Sequence, residues 1–203
     1  MKVVESELAE HVHAYLLSGN GGRDLRVMKE LAEKCDHSKV IRTPKSPLPR
    51  RKPIGLKPVI VALAHLSEDY PQVNRYVIVI DLEHVSDVER CREVLREHAF
   101  KIVYEERLGE GAWYFKTVRG AKEQHIYIAV SGCREARSIE YHLALLISLK
   151  YKVSVKPNKE EVNRWLKINN LDDRRLVRLS GIKYLEQAFS PHIKVLKKIS
   201  RDP

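Results

Sequence analysis

The sequence predicts a mixed α/β fold, and three stretches carry that prediction. Residues 75–84, RYVIVIDLEH, hold a β-branched run that reads as a strand. Residues 86–99, SDVERCREVLREHA, put Val88, Cys91, Val94 and Leu95 on one side of a helix, with Ser86 as N-cap and Glu89 three residues later. KIVYEERL and GAWYFKTV, within residues 101–118, form a hairpin across Gly109 and Gly111.

The elements that follow extend the pattern. EQHIYIAVS (123–131) is a further strand, RSIEYHLALLISLKY (137–151) an apolar helix, and KVSV (152–155) a short closing strand. PVIVALAHLSEDY (58–70) fits either a helix or a buried strand, because its periodicity does not separate the two. From Tyr76 to Val155 the order is strand, helix, two or three antiparallel strands, helix, strand. That order predicts a ferredoxin-like or RRM-like antiparallel sheet with two helices on one face and the other face open.

Ahead of this core, residues 4–19 carry Leu8, Val12, Tyr15 and Leu16 at helical spacing, and residues 24–35 carry Leu25, Met28 and Leu31. Both read as helices, divided by Gly19, Gly21 and Gly22, so residues 1–37 are expected to form a helical hairpin. Residues 38–58 contain five prolines and no acid, which predicts an extended basic arm. The core is then 59–156, and 157–203 is a basic helical region.

Charge narrows the class of partner. Among 203 residues, 37 are Lys or Arg and 27 Asp or Glu, a formal net charge of +10. Such an excess favours polyanions, and DNA or RNA is the expected partner. The arm supplies Arg42, Lys45, Arg50, Arg51 and Lys52 to track a phosphate backbone, and Arg134, Arg174, Arg175 and Arg178 add to the grip. Trp113, Tyr114 and Phe115 alternate along one strand, so on an open sheet face Tyr114, or Trp113 with Phe115, would stack on bases. A solvated linker and a packed aromatic cluster are the plain alternatives.

Cys35, Cys91 and Cys133 are odd in number and widely spaced, which predicts reduced thiols, no disulfide framework and no structural zinc. No apolar stretch is long enough for a membrane span and the N-terminus lacks signal-peptide order, so a cytoplasmic protein without membrane contact is expected. The motifs of P-loop ATPases, dinucleotide oxidoreductases, α/β-hydrolases and zincins are absent.

The acidic strand tip carries the chemistry. Two residues apart on a strand, Asp81 and Glu83 share a face and could chelate one divalent cation; a pair of solvated acids is the alternative. Further on, IYIAVSGCREARSIEYH combines Ser131 and Gly132 with His142, and LDDRRLVRLSG places Asp172 and Asp173 before Arg175 and Arg178.

In that order, these three clusters resemble the archaeo-eukaryotic primase superfamily over residues 75–185. The resemblance implies an RRM-like catalytic core in DNA replication. Mg2+ or Mn2+ would be bound by Asp81 and Glu83, with Asp172 or Asp173 as the third carboxylate. Ser131 and His142 would face nucleotide phosphate, and Arg175 or Arg178 would hold phosphate. Glu83 stands where the family has aspartate, the interval from Ser131 to His142 is longer than the family's turn and lacks a glycine, and the family's zinc-binding insertion has no counterpart. Two readings follow: a metal-dependent, primase-like nucleotidyltransferase, or a non-catalytic nucleic-acid-binding module, including a degenerate subunit of a larger replication complex.

Overall fold

A computed structural model describes residues 1–4, 12–35, 39–44, 54–85 and 87–202. Its strands are β1 (Lys2–Val4), β2 (Ala14–Ser18), β3 (Val40–Arg42), β4 (Arg75–Asp81), β5 (Lys101–Gly109), β6 (Ala112–Arg119) and β7 (Lys122–Ser131). Its helices are α1 (Gly22–Lys34), α2 (Leu56–Asp69), α3 (Val88–Glu97), α4 (Ile139–Tyr151), α5 (Lys159–Ile168), α6 (Asp173–Arg178), α7 (Ile182–Ala188) and α8 (Ser190–Arg201).

The class is mixed α/β, but the sheet is not the antiparallel ferredoxin-like one that the element order predicts. Seven described strands run in the order β1-β3-β2-β4-β7-β6-β5. The first five are parallel, and only β7-β6-β5 are antiparallel. The hairpin and the strand after it form as expected. Strand β4, however, pairs with β7 along Arg75 to Asp81 and with β2 on its other side.

The chemistry of β4 explains its place. Tyr76, Val77, Ile78, Val79 and Ile80 are all fully buried, so both faces of the strand are covered. A near-continuous β-branched run suits such a parallel strand, whereas a strand with one wet face would alternate with polar residues. Val77 and Val79 join one core with α1, α4 and α8; Tyr76, Ile78 and Ile80 join the other with α2 and α3.

The face expected to be open is closed by α8, whose Ile193, Val195, Leu196 and Ile199 are buried in the first core. Trp113, Tyr114 and Phe115 are only 9%, 6% and 0% exposed, so no open sheet face presents them as a row of stacking rings; of the three, Trp113 lines a cleft at the carboxyl edge of the sheet. Trp113 and Phe115 pack in the core shared with α2 and α3, and Tyr114 lies in the core under α8 with Lys198 Nζ 5.0 Å from its ring centre.

The N-terminal region also differs from the expected helical pair. Residues 14–18 form a strand, and β1 and β3 extend the sheet beyond it, drawing Arg42 into a strand rather than an arm. A five-residue apolar run such as AYLLS suits either element by pattern, and pairing with β4 decides it. Most of residues 4–13, together with Lys45, Arg50, Arg51, Lys52 and Ser86, lie outside the described residues. Asp87 caps α3, accepting from the N–H of Arg90 at 2.9 Å. Residues 58–69 lie in helix α2. Residues 152–155 form no strand: Lys152 takes φ 60° at the end of α4 and the chain turns away.

Candidate functional site

Helix α1 connects β2 to β3 on one face of the sheet, and α2 brings the chain back to β4, beyond β2, on the other. The connections diverge between the carboxyl ends of β2 and β4, where open α/β sheets present a crevice. The chain leaves β2 through Ser18-Gly19-Asn20-Gly21-Gly22. Ser18 Oγ accepts from the N–H groups of Asn20 and Gly21 at 3.2 and 3.1 Å, and Gly21 adopts φ 147°, so the chain turns straight into α1.

This turn places Asn20 between two acids. Its Oδ1 accepts from the backbone N–H of Asp81 at 3.0 Å, and its Nδ2 donates to Asp24 Oδ1 at 3.2 Å. Asp24 lies in the first turn of α1 and is 2% exposed; Asp81 ends β4 and is 7% exposed. Glu140, in the first turn of α4, is 9% exposed. Both helix N-termini favour negative charge nearby.

Electrostatics set the three acids apart. Burial pushes Asp81 up to about 8, with repulsion from Asp24, Glu140 and Glu83 adding to it. Asp24 is pushed up to about 6, again chiefly by burial. For Glu140 burial acts upward as well, but hydrogen bonding from Ser138 and pairing with Arg23 hold it below the usual carboxylate range. The Arg23 guanidinium reaches Glu140 Oε1 at 2.8 Å and Asp173 Oδ1 at 2.6 Å, and Arg26 approaches Asp173 Oδ2 at 3.4 Å. Among the described residues, Asp24 and Asp81 have no cationic partner of this kind. Asp81 accepts from the N–H of Ile139, yet its buried Oδ1 has no hydrogen-bond partner among the described residues.

Ser131 ends β7 directly beside Asp81. Its hydroxyl donates to Asp24 Oδ1 at 3.5 Å and lies 3.0 Å from His192 Nε2. His192 is fully buried, and burial holds its pKa well below the ordinary value. The serine stands between the acid and the imidazole and is itself fully buried, so the array lacks the order of a nucleophilic triad, in which the acid orients the histidine.

The expected site residues separate into distinct roles. Glu83 lies in the turn after the strand, not on it; its half-exposed side chain sits 3.3 Å from His84 Nε2. The strand stops at Asp81 because the N–H of His84 closes a turn onto the Asp81 carbonyl at 2.9 Å. His142 is neutral, its pKa pushed down to about 4 by burial. Its Nε2 accepts from the N–H of Gly132 at 2.9 Å and its Nδ1 faces the Ala188 carbonyl at 2.6 Å, leaving no ring nitrogen for phosphate. Asp172 caps α6 through the N–H of Arg175, Asp173 is held by Arg23, and Arg178 pairs with Glu30 at 2.8 Å. Arg134, Arg174 and Arg175 are exposed.

Asn20, Arg23, Asp24 and Glu140 are thus the residues that sequence reasoning overlooked. Their signal was SGNGGRD, a glycine-rich turn between a strand and a helix; taken as a break between two helices, it loses that meaning.

Among the described residues, no three His, Cys, Asp or Glu side chains are grouped so as to hold a metal ion by themselves. Mg2+ is commonly held by one or two carboxylates, with water and substrate phosphate completing its shell. The Asp24 and Asp81 carboxylates, with an unpartnered oxygen between strand ends, fit that donor set. Comparisons with protein-family models, curated proteins and solved structures return no match.

Proposed function

We propose that this protein is a divalent-cation-dependent phosphoryl-transfer enzyme acting on nucleic acid, with Asp24 and Asp81 as the carboxylates that hold Mg2+ or Mn2+. The observation that carries the reading is the buried Asp81 carboxylate coupled to Asp24, with one oxygen unpartnered and no compensating cationic side chain among the described residues. Among the described residues Asp24, Asp81, Glu140 and Asp173 meet Arg23 and Arg26, and Glu83 also repels Asp81, so full ionisation leaves an acidic excess that a divalent cation would offset. Bound there, the cation would supply charge neutralisation at a phosphate and an activated oxygen nucleophile. Asn20 positions both acids, Arg23 holds Glu140 and Asp173 in place, and the Ser131 hydroxyl orients Asp24. The net charge of +10 favours a polyanionic substrate.

Nucleotide addition, as in the primases that the strand tip resembles, and phosphodiester cleavage draw on the same cation chemistry. Incubation with labelled single-stranded DNA or RNA and Mn2+, with and without nucleoside triphosphates, separates extension from shortening. Either activity should vanish with chelator and fall at least 100-fold in Asp81→Asn and Asp24→Asn. Unchanged turnover in the double variant would refute the assignment. Salt-sensitive binding without turnover in any metal would favour the non-catalytic module.

A further inference from the structure

A cleft of about 640 Å3 opens at the carboxyl edge of the sheet, beside the β5–β6 turn. It begins one residue beyond the ends of the two central strands, at Leu82 and Gly132, so it adjoins the carboxylates without containing them. Trp113 and Tyr141 contribute rings to its wall, and Leu82, Val88 and Val130 add apolar surface. Exposed Arg107, Arg134 and Lys194 bring three cationic groups to its lining, against two acids, Glu110 in the hairpin turn and Asp87, whose carboxylate caps α3. Among the described residues none of the three enters an ion pair, whereas Arg23, Arg92 and Arg119 each do. Lys194 lies against the hairpin turn at Gly109, where any Cβ would overlap its side chain.

An excess of cations over acids on a concave wall raises the local concentration of anions. The volume falls within the roughly 300–1,000 Å3 of small-molecule sites. An apolar wall with an indole edge takes a flat ring, and guanidinium groups take phosphate oxygens in paired hydrogen bonds. A ligand with a flat base at one end and phosphate at the other satisfies both halves.

We infer that this cleft binds a nucleotide unit, its base against Trp113 and its phosphate among Arg107, Arg134 and Lys194. The inference deepens the phosphoryl-transfer reading by locating its substrate, and it rests on that reading for identifying the ligand as a nucleotide. The unit is either a free mononucleotide or the phosphorylated end of a strand.

The chain has two tryptophans, so Trp165→Phe leaves Trp113 as the single reporter. In chelator, emission of this variant is titrated with AMP, a 5′-phosphorylated oligonucleotide, adenosine and inorganic phosphate. Saturable quenching by AMP or the oligonucleotide is expected, with the tighter of the two identifying the physiological form. Adenosine should bind at least tenfold more weakly, as should AMP to Arg134→Ala with Lys194→Ala. No saturable change in protein whose circular dichroism is native overturns the inference, as does inorganic phosphate competing as tightly as AMP. Chelator keeps the outcomes separable. Quenching without metal-dependent turnover in the companion assay sinks the enzyme reading alone; turnover without quenching sinks the cleft alone.

Discussion

The side chain of Asn20 accepts the backbone N–H of Asp81 at 3.0 Å while its amide donates to Asp24 at 3.2 Å, so one residue links the end of the central strand to the first turn of α1. Asn20→Ala strips both bonds and leaves buried polar groups unmatched, a loss of about 1–3 kcal/mol in urea denaturation. Asn20→Asp brings a further carboxylate between two that already repel. It should be the less stable of the two variants in chelator and regain more stability on addition of Mn2+.

Stability should depend on pH in a direction unusual for aspartate. Burial lifts Asp81 to about 8 and Asp24 to about 6, against an ordinary value of 3.8. Between pH 4 and 8 the folded chain retains protons at these groups that the unfolded chain releases, so their contribution to stability falls as pH rises and is lost above the folded values. In chelator the melting temperature is expected to fall from pH 6 to pH 8.5, and Asp81→Asn should flatten that slope. Mn2+ should protect more at pH 8.5 than at pH 6, since the cation replaces a proton. Equal protection at both values would contradict this.

Arg23 holds Glu140 and Asp173 together from α1, α4 and α6. Its removal leaves Glu140 without its cation and Asp173 with Arg26 alone, and breaking a buried pair in this way costs about 3–5 kcal/mol. Arg23→Ala should show that loss in denaturant titration. Arg23→Lys retains the charge but not the fork that reaches both acids, so an intermediate loss is expected.

Gly132 adopts φ 105°, and a Cβ there would lie 2.5 Å from the carbonyl carbon of Arg137. Gly132→Ala is expected to destabilise by about 1–3 kcal/mol through backbone strain alone, and more if the turn shifts. Because the Gly132 N–H donates to His142 Nε2, displacement of the turn would register in the His142 imidazole resonances by NMR, which a merely global loss of stability would leave native-like below the transition.

Much of the local structure could be read from the chain. The strand at 75–81, the helix after it, the hairpin around Gly109 and Gly111 and the C-terminal helices each follow from patterns within ten or so residues. What escaped depends on distant partners. Tyr15 to Ser18 form a strand because Tyr76 to Val79 lie alongside, some sixty residues on, with β3 on the other edge. The unbroken apolar run of β4 already pointed to burial on both faces, but the helices that cover it, α1 and α2, are brought there only by the order of the sheet. Of the site, Asp81 was legible as a strand-ending acid. Asp24 and Glu140 resemble ordinary first-turn acids of surface helices, and only the docking of α1 and α4 onto the strand ends hides them from water. Glu83 misled because the period-two argument assumes the strand continues past Asp81.

Helix α8 both seals one face of the sheet and carries His192 against Ser131. During vectorial synthesis, β6 and β7 therefore emerge with an apolar flank that α8 covers only once residues 190–201 leave the ribosome. Until then that flank stays open to other chains, and the contact between Ser131 and His192 forms only as α8 docks.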